Sequence, residues 1–453
     1  MSWHAQIRAN TATERLAALL QTNRNGKGVG IYSICSANRY VLEAGIGEAK
    51  DSGSLLLIES TSNQVNQFGG YTGQTPIEFA RFIRELAEAA GFPFEHVVLG
   101  GDHLGPHAWR KESSRQAMEK ARVLVRDSVL AGYTKIHLDT SMHCADDPGD
   151  RHRPLADEMV SAREAELCAV AEEASRELAD GATPPVYIIG TEVPLPGGEP
   201  TDGHAPEITR TGALRETLSI AKRAFQARGL QSAWERTIAV VVQPGVDFGD
   251  TTVFAYDRPK AAALSDFALE HWHGVYEAHS TDYQSAAALR QMVNDHFAIL
   301  KVGPWLTFAF REAVFALAAL EQEWFRNRAG VALSGVREEL DQAMTENPVY
   351  WKDYYRGDET ALGLARKYSY SDRSRYYWPL PRVAAALDRL IGNLAAAPPP
   401  DNLLSQFLPN QAEMLRNGLL SRSPADLIRS KIREILEVYA AACGAKTGTA
   451  YAE

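Results

Sequence analysis

The stretch VVLGGDHLGP (97–106) begins as a buried β-strand and ends on an adjacent acid and imidazole. Val97, Val98 and Leu99 require an apolar environment, yet Asp102 and His103 follow directly, among three glycines. Glycine lets a backbone turn without a Cβ clash, so we expect the chain to leave the sheet here. A hydrophobic strand that runs into titratable side chains indicates a parallel sheet with a functional site at its strand ends.

Seven further runs of the same kind occur, and amphipathic helical segments such as TPIEFARFIRELAEAAG (75–91) separate them. The eight runs cover residues 29–35, 54–60, 96–103, 133–141, 186–193, 237–245, 274–282 and 297–304. Alternating strands and helices predict an α/β fold, and eight units in about 300 residues favour a (β/α)8 TIM barrel. An open doubly wound sheet is the alternative.

The pattern changes after EQEW (321–324), and no convincing strand follows. We therefore predict a barrel over residues 1–324 that carries the active site, and a helical C-terminal extension over residues 325–453 packed on the barrel. Such an extension could cover one end of the barrel or mediate association.

Composition narrows the class of protein. The 453 residues are 45% hydrophobic and 23% charged, with a formal net charge of -10, which is typical of a globular protein and unlike a nucleic-acid surface. No signal peptide and no run of about 18 apolar residues is found, which predicts a cytoplasmic protein without membrane contact. The four cysteines lie far apart, so we expect reduced thiols rather than disulfides or a zinc ribbon.

Active sites of barrels lie at the carboxyl ends of the strands. His103, Glu192 and His279 stand at three such ends and are suitable ligands for a catalytic divalent metal, although a packed histidine and a salt-bridged carboxylate are the structural alternatives. Asp102 is a candidate general acid or base, or a group that orients His103. The remaining strand-end residues are Cys35, Ser36, Glu59, Asp139, Gln243 and Lys301.

Lys301 allows a rival chemistry, because a desolvated lysine can form a Schiff base. Binding of a phosphate or carboxylate is the role that we favour for it. The long loop STSNQVNQFGGYTGQTP (60–76) contains Asn63 and Gln64, whose amides can hydrogen-bond sugar hydroxyls.

Several long motifs resemble the GatZ/KbaZ family of D-tagatose-1,6-bisphosphate aldolase subunits, also labelled tagatose 6-phosphate kinases. They are IESTSNQVNQFGGYTGQTP, GGDHLGP, KIHLDTSM, IGTEVPLPGGE, VVQPGVDF, VYEAHSTDYQ, AILKVGPWLTFA and SDRSRYYWP, and they extend from about residue 25 to 440. The resemblance implies a class II aldolase-like barrel and a ketohexose-phosphate substrate. In the family's aldolases this subunit is called non-catalytic, and related members are C4 epimerases.

Compared with catalytic class II aldolases, Asp102 and His103 resemble the acid and the first metal histidine. Glu192 lies near the metal-proximal glutamate and His279 resembles the last metal histidine, which implies zinc, with manganese as the alternative. Gln243 stands where those enzymes have a histidine, and AHSTDYQ (278–284) and KVG (301–303) replace their phosphate-binding motifs.

We therefore expect C4 epimerisation between tagatose (6-phosphate) and fructose (6-phosphate) by retro-aldol cleavage, with Asp102 and Asp139 as proton carriers. Transient oxidation is the other route to C4 inversion, but the chain has no dinucleotide fingerprint. The substrate contacts are expected from Ser36, Glu59, Asn63, Gln64, Gln243 and Lys301. A stabilising subunit of a catalytic aldolase is the alternative, and a sugar-phosphate kinase is a remote one. A homo-oligomer is expected.

Overall fold

Eight parallel strands close into a barrel in the computed structural model, which describes residues 11–150, 154–179, 182–190 and 206–445. The described residues form eight barrel strands and two short strands outside the barrel, β7 and β8. In chain order they are β1 (Ile31–Ile34), β2 (Leu56–Thr61), β3 (Val97–Leu104), β4 (Lys135–Leu138), β5 (Val186–Ile189), β6 (Thr237–Val241), β7 (Asp247–Phe248), β8 (Val253–Phe254), β9 (Val275–Ala278) and β10 (Phe297–Val302). Their order around the barrel is β1, β10, β9, β6, β5, β4, β3, β2, and β7 pairs with β8 in a small antiparallel hairpin. The predicted (β/α)8 barrel is confirmed, and the open sheet is excluded.

Helices surround the barrel and continue beyond it. Those up to the end of the barrel are α1 (Thr11–Arg24), α2 (Arg39–Ser52), α3 (Pro76–Ala90), α4 (Ser114–Leu130), α5 (Asp157–Arg176), α6 (Thr211–Ala227), α7 (Gln231–Glu235), α8 (Arg258–His271), α9 (Ala286–Asn294) and α10 (Pro304–Phe325). Those beyond it are α11 (Val336–Glu346), α12 (Glu359–Tyr368), α13 (Pro381–Ala396), α14 (Asp401–Phe407), α15 (Pro409–Arg416) and α16 (Pro424–Ala442). The C-terminal region is helical, as predicted, and the division of the chain at residue 325 stays a prediction.

Local signals set the helix ends. The helix α3 begins at Pro76, and proline suits this position because a backbone N–H in the first turn would have no partner within the helix. The Glu78 carboxylate accepts a 2.8 Å hydrogen bond from the Thr75 amide just before the helix. It ends at Gly91, whose φ of 63° places it in the left-handed region that glycine adopts without strain.

The amino-terminal end of the barrel is closed by α1. Leu16 and Leu20 on this helix pack into a buried apolar cluster with interior side chains of the strands, including Leu57, Val98 and Ile188. Because this end is filled with hydrocarbon, the polar cavity of the barrel opens at the opposite, carboxyl end.

The last helix belongs to the outer ring of the barrel. The helix α16 packs against α2, α9 and α10, and Tyr439 donates a 2.8 Å hydrogen bond to the Thr281 carbonyl behind β9. These contacts hold the C-terminal region to the side of the barrel. The same region also contacts the barrel at the carboxyl ends of the strands.

Two further sequence expectations bear on the class of protein. None of the described helices is both apolar and long enough to cross a lipid bilayer. The four cysteines, all in described segments, are free thiols.

Candidate active site

One pocket lies at the carboxyl end of the barrel and encloses about 570 Å³, including the part open to solvent. It is lined by strand-end residues, by the loop after β2 and by a turn between α12 and α13. The lining residues include Asn63, Gln64, Asp102, His103, His279, Asp282, Lys301, Arg375 and Tyr376.

A bulge in β3 brings Asp102 and His103 to the same face. Neighbouring residues of a regular strand point to opposite faces, yet both of these line the pocket. The pairing of β3 with β4 shifts register between Gly101 and Leu104, and His103 has a φ of 49°, a left-handed conformation that is rare for a residue with a side chain. Bulges of this kind re-aim side chains beside active sites.

Gly100 in β3 and Gly105 directly after it act by close approach rather than by turning the chain, which corrects the sequence expectation. The strand continues to Leu104. A Cβ on Gly100 would lie 2.6 Å from the Glu59 Cγ, and a Cβ on Gly105 would lie 1.7 Å from the Asp139 carbonyl oxygen. Both positions exclude any side chain, because backbone or buried charged groups occupy the space.

Three imidazoles form a nearly equilateral triangle beside Asp102. The ring centroids of His103, His137 and His279 lie 5.0 to 5.2 Å apart. One ligand atom from each of these histidines and one from Asp102 lie within 4.8 Å of one another, and all four residues are buried. Nitrogen and carboxylate donors in this number are typical of a divalent metal site.

Carboxylates orient two of the histidines from behind. The His103 Nδ1 lies 2.7 Å from an Asp139 oxygen, and the His279 Nε2 lies 3.0 Å from a Glu277 oxygen. Metal-binding histidines commonly make such a bond through the second ring nitrogen, which fixes the tautomer and leaves the first nitrogen as the ligand.

The pKa values of these two histidines are shifted in opposite directions. Burial lowers the pKa of His279 to about 4, so its imidazole is neutral and retains a lone pair. Burial also opposes charge on His103, but the carboxylates of Asp102 and Asp139 outweigh it and raise its pKa.

A buried charge network supports the site from inside the barrel. The Lys135 ammonium lies 2.8 Å from both Glu59 oxygens and 2.6 Å from a Glu277 oxygen, and all three side chains are fully buried. The Lys301 ammonium lies 2.9 Å from Glu59 and 2.9 Å from Asp102. Lys301 therefore connects this network to the pocket.

Two observations indicate that these donor groups suit a divalent cation. Four buried carboxylates, those of Glu59, Asp102, Asp139 and Glu277, face two ammonium groups, which leaves two negative charges in excess when the imidazoles are neutral, as metal ligands must be. The His137 Nε2 is buried and has no hydrogen-bond partner in the part of the chain that the structure describes. A dication would balance the charge, since uncompensated buried charge is strongly unfavourable.

A conserved-domain comparison identifies the kind of protein to which this site belongs. Residues 16–444 match the D-tagatose-1,6-bisphosphate aldolase subunit GatZ/KbaZ-like family. The chain belongs to the GatZ/KbaZ-like family.

A solved relative supports this assignment to the GatZ/KbaZ-like family. It is described as "a probable tagatose 6 phosphate kinase from Sinorhizobium meliloti 1021" and shares 44% sequence identity. The match covers 91% of this chain and 100% of the relative, with a TM-score of 0.82. The YdjI aldolase from Escherichia coli K12 is 11% identical with a TM-score of 0.41 over 82% of this chain and 95% of its own, which is too distant to bear on function.

The structure of this GatZ/KbaZ-like chain brings His103 and His279 of the expected metal site together, with His137 as a third histidine. Glu192, the expected third ligand, lies outside the described residues. His137 was not among the ligands expected from the sequence, although Lys135, His137 and Asp139 alternate along β4 and its end. Alternate residues share one face of a strand, and this spacing was the available signal.

The expected proton carriers have different positions. Asp102 lines the pocket, whereas Asp139 is buried behind His103 and does not line it. Although burial opposes ionisation, His103 and Lys301 hold the pKa of Asp102 well below its usual range. A hydrogen bond from His103 outweighs burial for Asp139 and likewise lowers its pKa.

Only some of the expected substrate-binding residues line the pocket. Asn63, Gln64 and Lys301 line the pocket. Glu59 lies beneath it in the charge network, where Ser33 and two lysines donate to it. Ser36 and Gln243 do not line it; the Ser36 hydroxyl accepts from the Asn38 amide, and the Gln243 side chain accepts from the Gly245 and Val246 amides.

The loop after β2 uses most of its amide side chains to hold itself in place. Asn66 accepts hydrogen bonds from the Phe68 and Gly70 amides, and Gln67 donates to the Lys120 carbonyl. Gly70 allows the loop to fold tightly, because a Cβ there would lie 2.3 Å from the Gln64 carbonyl oxygen. Asn63 and Gln64 therefore line the pocket on a well-packed loop, where the Gln64 amide accepts from the Thr61 amide and donates to the Cys35 carbonyl.

Proposed function

We propose that the chain is a metal-dependent ketose 4-epimerase that interconverts tagatose and fructose, as free sugars or 6-phosphates, by retro-aldol and aldol steps. The observation that carries the proposal is a cluster of three histidines and Asp102 beside a pocket that Asp102, His103, His279 and Lys301 line, in an aldolase-subunit barrel. This set combines candidate metal ligands with groups that can move a proton.

His103, His137 and His279 would hold the divalent metal, zinc or manganese, and Asp102 beside them would stay available to move a proton. When bound, such an ion would polarise the C2 carbonyl of the sugar and stabilise the negative charge of an enediolate. Asp139 and Glu277 keep two of the imidazoles oriented for that purpose.

The reaction requires cleavage of the bond between C3 and C4. Asp102 takes the proton of the C4 hydroxyl, the C3–C4 bond breaks, C4 becomes an aldehyde and the electron pair forms the enediolate at C2 and C3. The aldehyde then rotates, so that the C3 carbon of the enediolate adds to its opposite face and the C3–C4 bond forms again with C4 inverted. The C4 alkoxide takes back a proton. Lys301, 2.9 Å from Asp102, is placed to stabilise the developing alkoxide.

The lysine is a proton donor rather than a nucleophile in this proposal. Burial opposes its charge, but Asp102 and neighbouring acidic groups hold the pKa of Lys301 well above its usual range. A protonated amine cannot attack a carbonyl to form a Schiff base. Labelling of Lys301 by substrate and borohydride would contradict this role.

The family description favours one alternative, a subunit that supports a catalytic aldolase. The test is an assay of the purified chain alone on tagatose 6-phosphate, fructose 6-phosphate and the two free sugars. We expect epimerisation without a partner, and loss of activity on chelation with recovery on adding zinc or manganese. Absence of turnover by the metal-loaded chain would favour the subunit role, and ATP-dependent phosphorylation of tagatose 6-phosphate would favour the kinase.

Deuterium at C4 of the substrate separates retro-aldol cleavage from other routes to inversion. The C4–H bond stays intact when C3–C4 breaks, so we expect the product to retain deuterium and the rate to show no primary isotope effect. Proton abstraction at C4 or transient oxidation breaks that bond and would give a primary effect. Mass spectrometry of the product and competitive rate measurements provide the two readouts.

The proposed ligand set makes a separate prediction. We expect the purified chain to bind one divalent transition metal, and His137→Ala to weaken that binding at least tenfold. His107→Ala is the matched control, because His107 is a half-buried histidine at the same end of the barrel but outside the cluster. Equal metal content by elemental analysis in wild type and His137→Ala would contradict the assignment of His137.

A further inference from the structure

The pocket has a positive group that the proposed chemistry does not use. Arg375 lines it, on a short helical turn (Arg373–Tyr376) of the C-terminal region. Among the described residues, no carboxylate lies within ion-pairing distance of this guanidinium, unlike the ammonium of Lys301, which contacts Glu59 and Asp102. Asp282 in the same pocket interacts with Arg375 only at longer range, so among the described residues the guanidinium has no carboxylate in direct contact.

Neutral acceptors hold the guanidinium in place. Its Nη1 donates to the carbonyls of Ser371 and Asp372, and its Nη2 donates a 2.9 Å hydrogen bond to the Tyr376 hydroxyl. A guanidinium has five N–H groups, so the Nε–H and the second Nη2–H remain without an acceptor among the described residues. Two N–H groups are what a bidentate contact with a phosphate requires.

The turn that carries Arg375 is fixed to the barrel. The Asp372 carboxylate accepts hydrogen bonds from Thr307 (2.5 Å) and Arg311 (3.2 Å) on α10. The Tyr376 ring stacks on Tyr350 at 4.7 Å between centroids. Arg375 is therefore preorganised, which reduces the entropy lost when a ligand binds.

The position that often binds phosphate in TIM barrels is filled by a carboxylate. In many such barrels, the loops after the seventh and eighth strands and a helix N-terminus bind the phosphate group. Here an Asp282 oxygen accepts hydrogen bonds from the Gly303 (3.0 Å) and Trp305 (2.8 Å) amides at the start of α10. An anionic ligand in this pocket requires a different partner.

We propose that Arg375 binds the terminal phosphate of the sugar and makes the C-terminal region part of the active site. The inference rests on the proposed function and deepens it, because it assigns phosphorylated ketohexoses as the preferred substrates. The histidines then act at the C2 carbonyl and Asp102 at the C4 hydroxyl, and the extension selects the phosphorylated end of the sugar.

Calorimetric titration tests this assignment without requiring turnover. The probes are fructose 6-phosphate, fructose and inorganic phosphate, and the proteins are wild type, Arg375→Gln and Arg389→Gln. Arg389 is the matched control, since it is an exposed arginine on α13 of the same region. Loss of a charged hydrogen bond predicts about 10- to 100-fold weaker binding of both phosphate probes to Arg375→Gln, with fructose binding unchanged. Arg389→Gln is expected to match wild type.

Three results would overturn the assignment: equal affinity of the wild type for fructose and fructose 6-phosphate, wild-type phosphate binding by Arg375→Gln, or an equal loss of both sugars. If Arg375→Gln fails to fold, Arg375→Lys keeps the charge without the planar fork, and we expect it to lose phosphate affinity but not fructose affinity. A chain that binds fructose 6-phosphate through Arg375 but does not epimerise it would refute the proposed function alone.

Discussion

Replacing Asp102 with asparagine is expected to reduce turnover at least about a hundredfold while the protein stays folded. Asparagine keeps the shape of the side chain but cannot take the proton of the C4 hydroxyl. The loss should appear in kcat at saturating metal and substrate, because proton transfer belongs to the chemical step. Steady-state kinetics, with elemental analysis of the same samples, measures it.

The Asp139→Asn variant distinguishes the loss of a proton carrier from the loss of metal binding. Asp139 contacts the His103 Nδ1 at 2.7 Å and does not line the pocket, so we expect it to act through the orientation of His103. Loss of such a partner typically weakens metal binding about 10- to 100-fold. Excess metal should therefore restore Asp139→Asn but leave Asp102→Asn inactive. Near wild-type turnover of Asp102→Asn, or its rescue by metal, would refute the role of Asp102 as proton carrier.

Lys135→Met is expected to destabilise the protein by about 3 to 5 kcal/mol, because removing one partner leaves buried charges uncompensated. The Lys135 ammonium contacts Glu59 and Glu277 inside the barrel, and the three side chains are fully buried. Although burial opposes ionisation, Lys135 and Lys301 hold the pKa of Glu277 well below its usual range. Urea denaturation monitored by circular dichroism measures the free energy of unfolding.

Lys120→Met removes a lysine of the same type from a partly exposed pair with Glu112. Such pairs contribute about 0 to 1 kcal/mol, so this variant is expected to unfold close to the wild-type urea concentration. A Lys135→Met variant that unfolds within about 1 kcal/mol of wild type would show that the buried network does not support the barrel.

The strand ends could be predicted because a parallel barrel exposes its carboxyl ends to one cavity. Asp102, His103 and His279 follow hydrophobic runs directly, and all three line the pocket. Ser36 and Gln243 also follow such runs, but local hydrogen bonds use their side chains. A strand-end position therefore indicates proximity to the cavity but not the direction of a side chain.

The sequence by itself determined the barrel, since eight buried runs separated by amphipathic helices can bury their apolar surfaces together in few ways. It also determined that acids and imidazoles gather at one end. Only the tertiary structure decided that a bulge turns both Asp102 and His103 inward, that His137 joins them and that Arg375 reaches the same pocket. These contacts join residues up to hundreds of positions apart, and their geometry depends on register and packing that local sequence patterns do not encode.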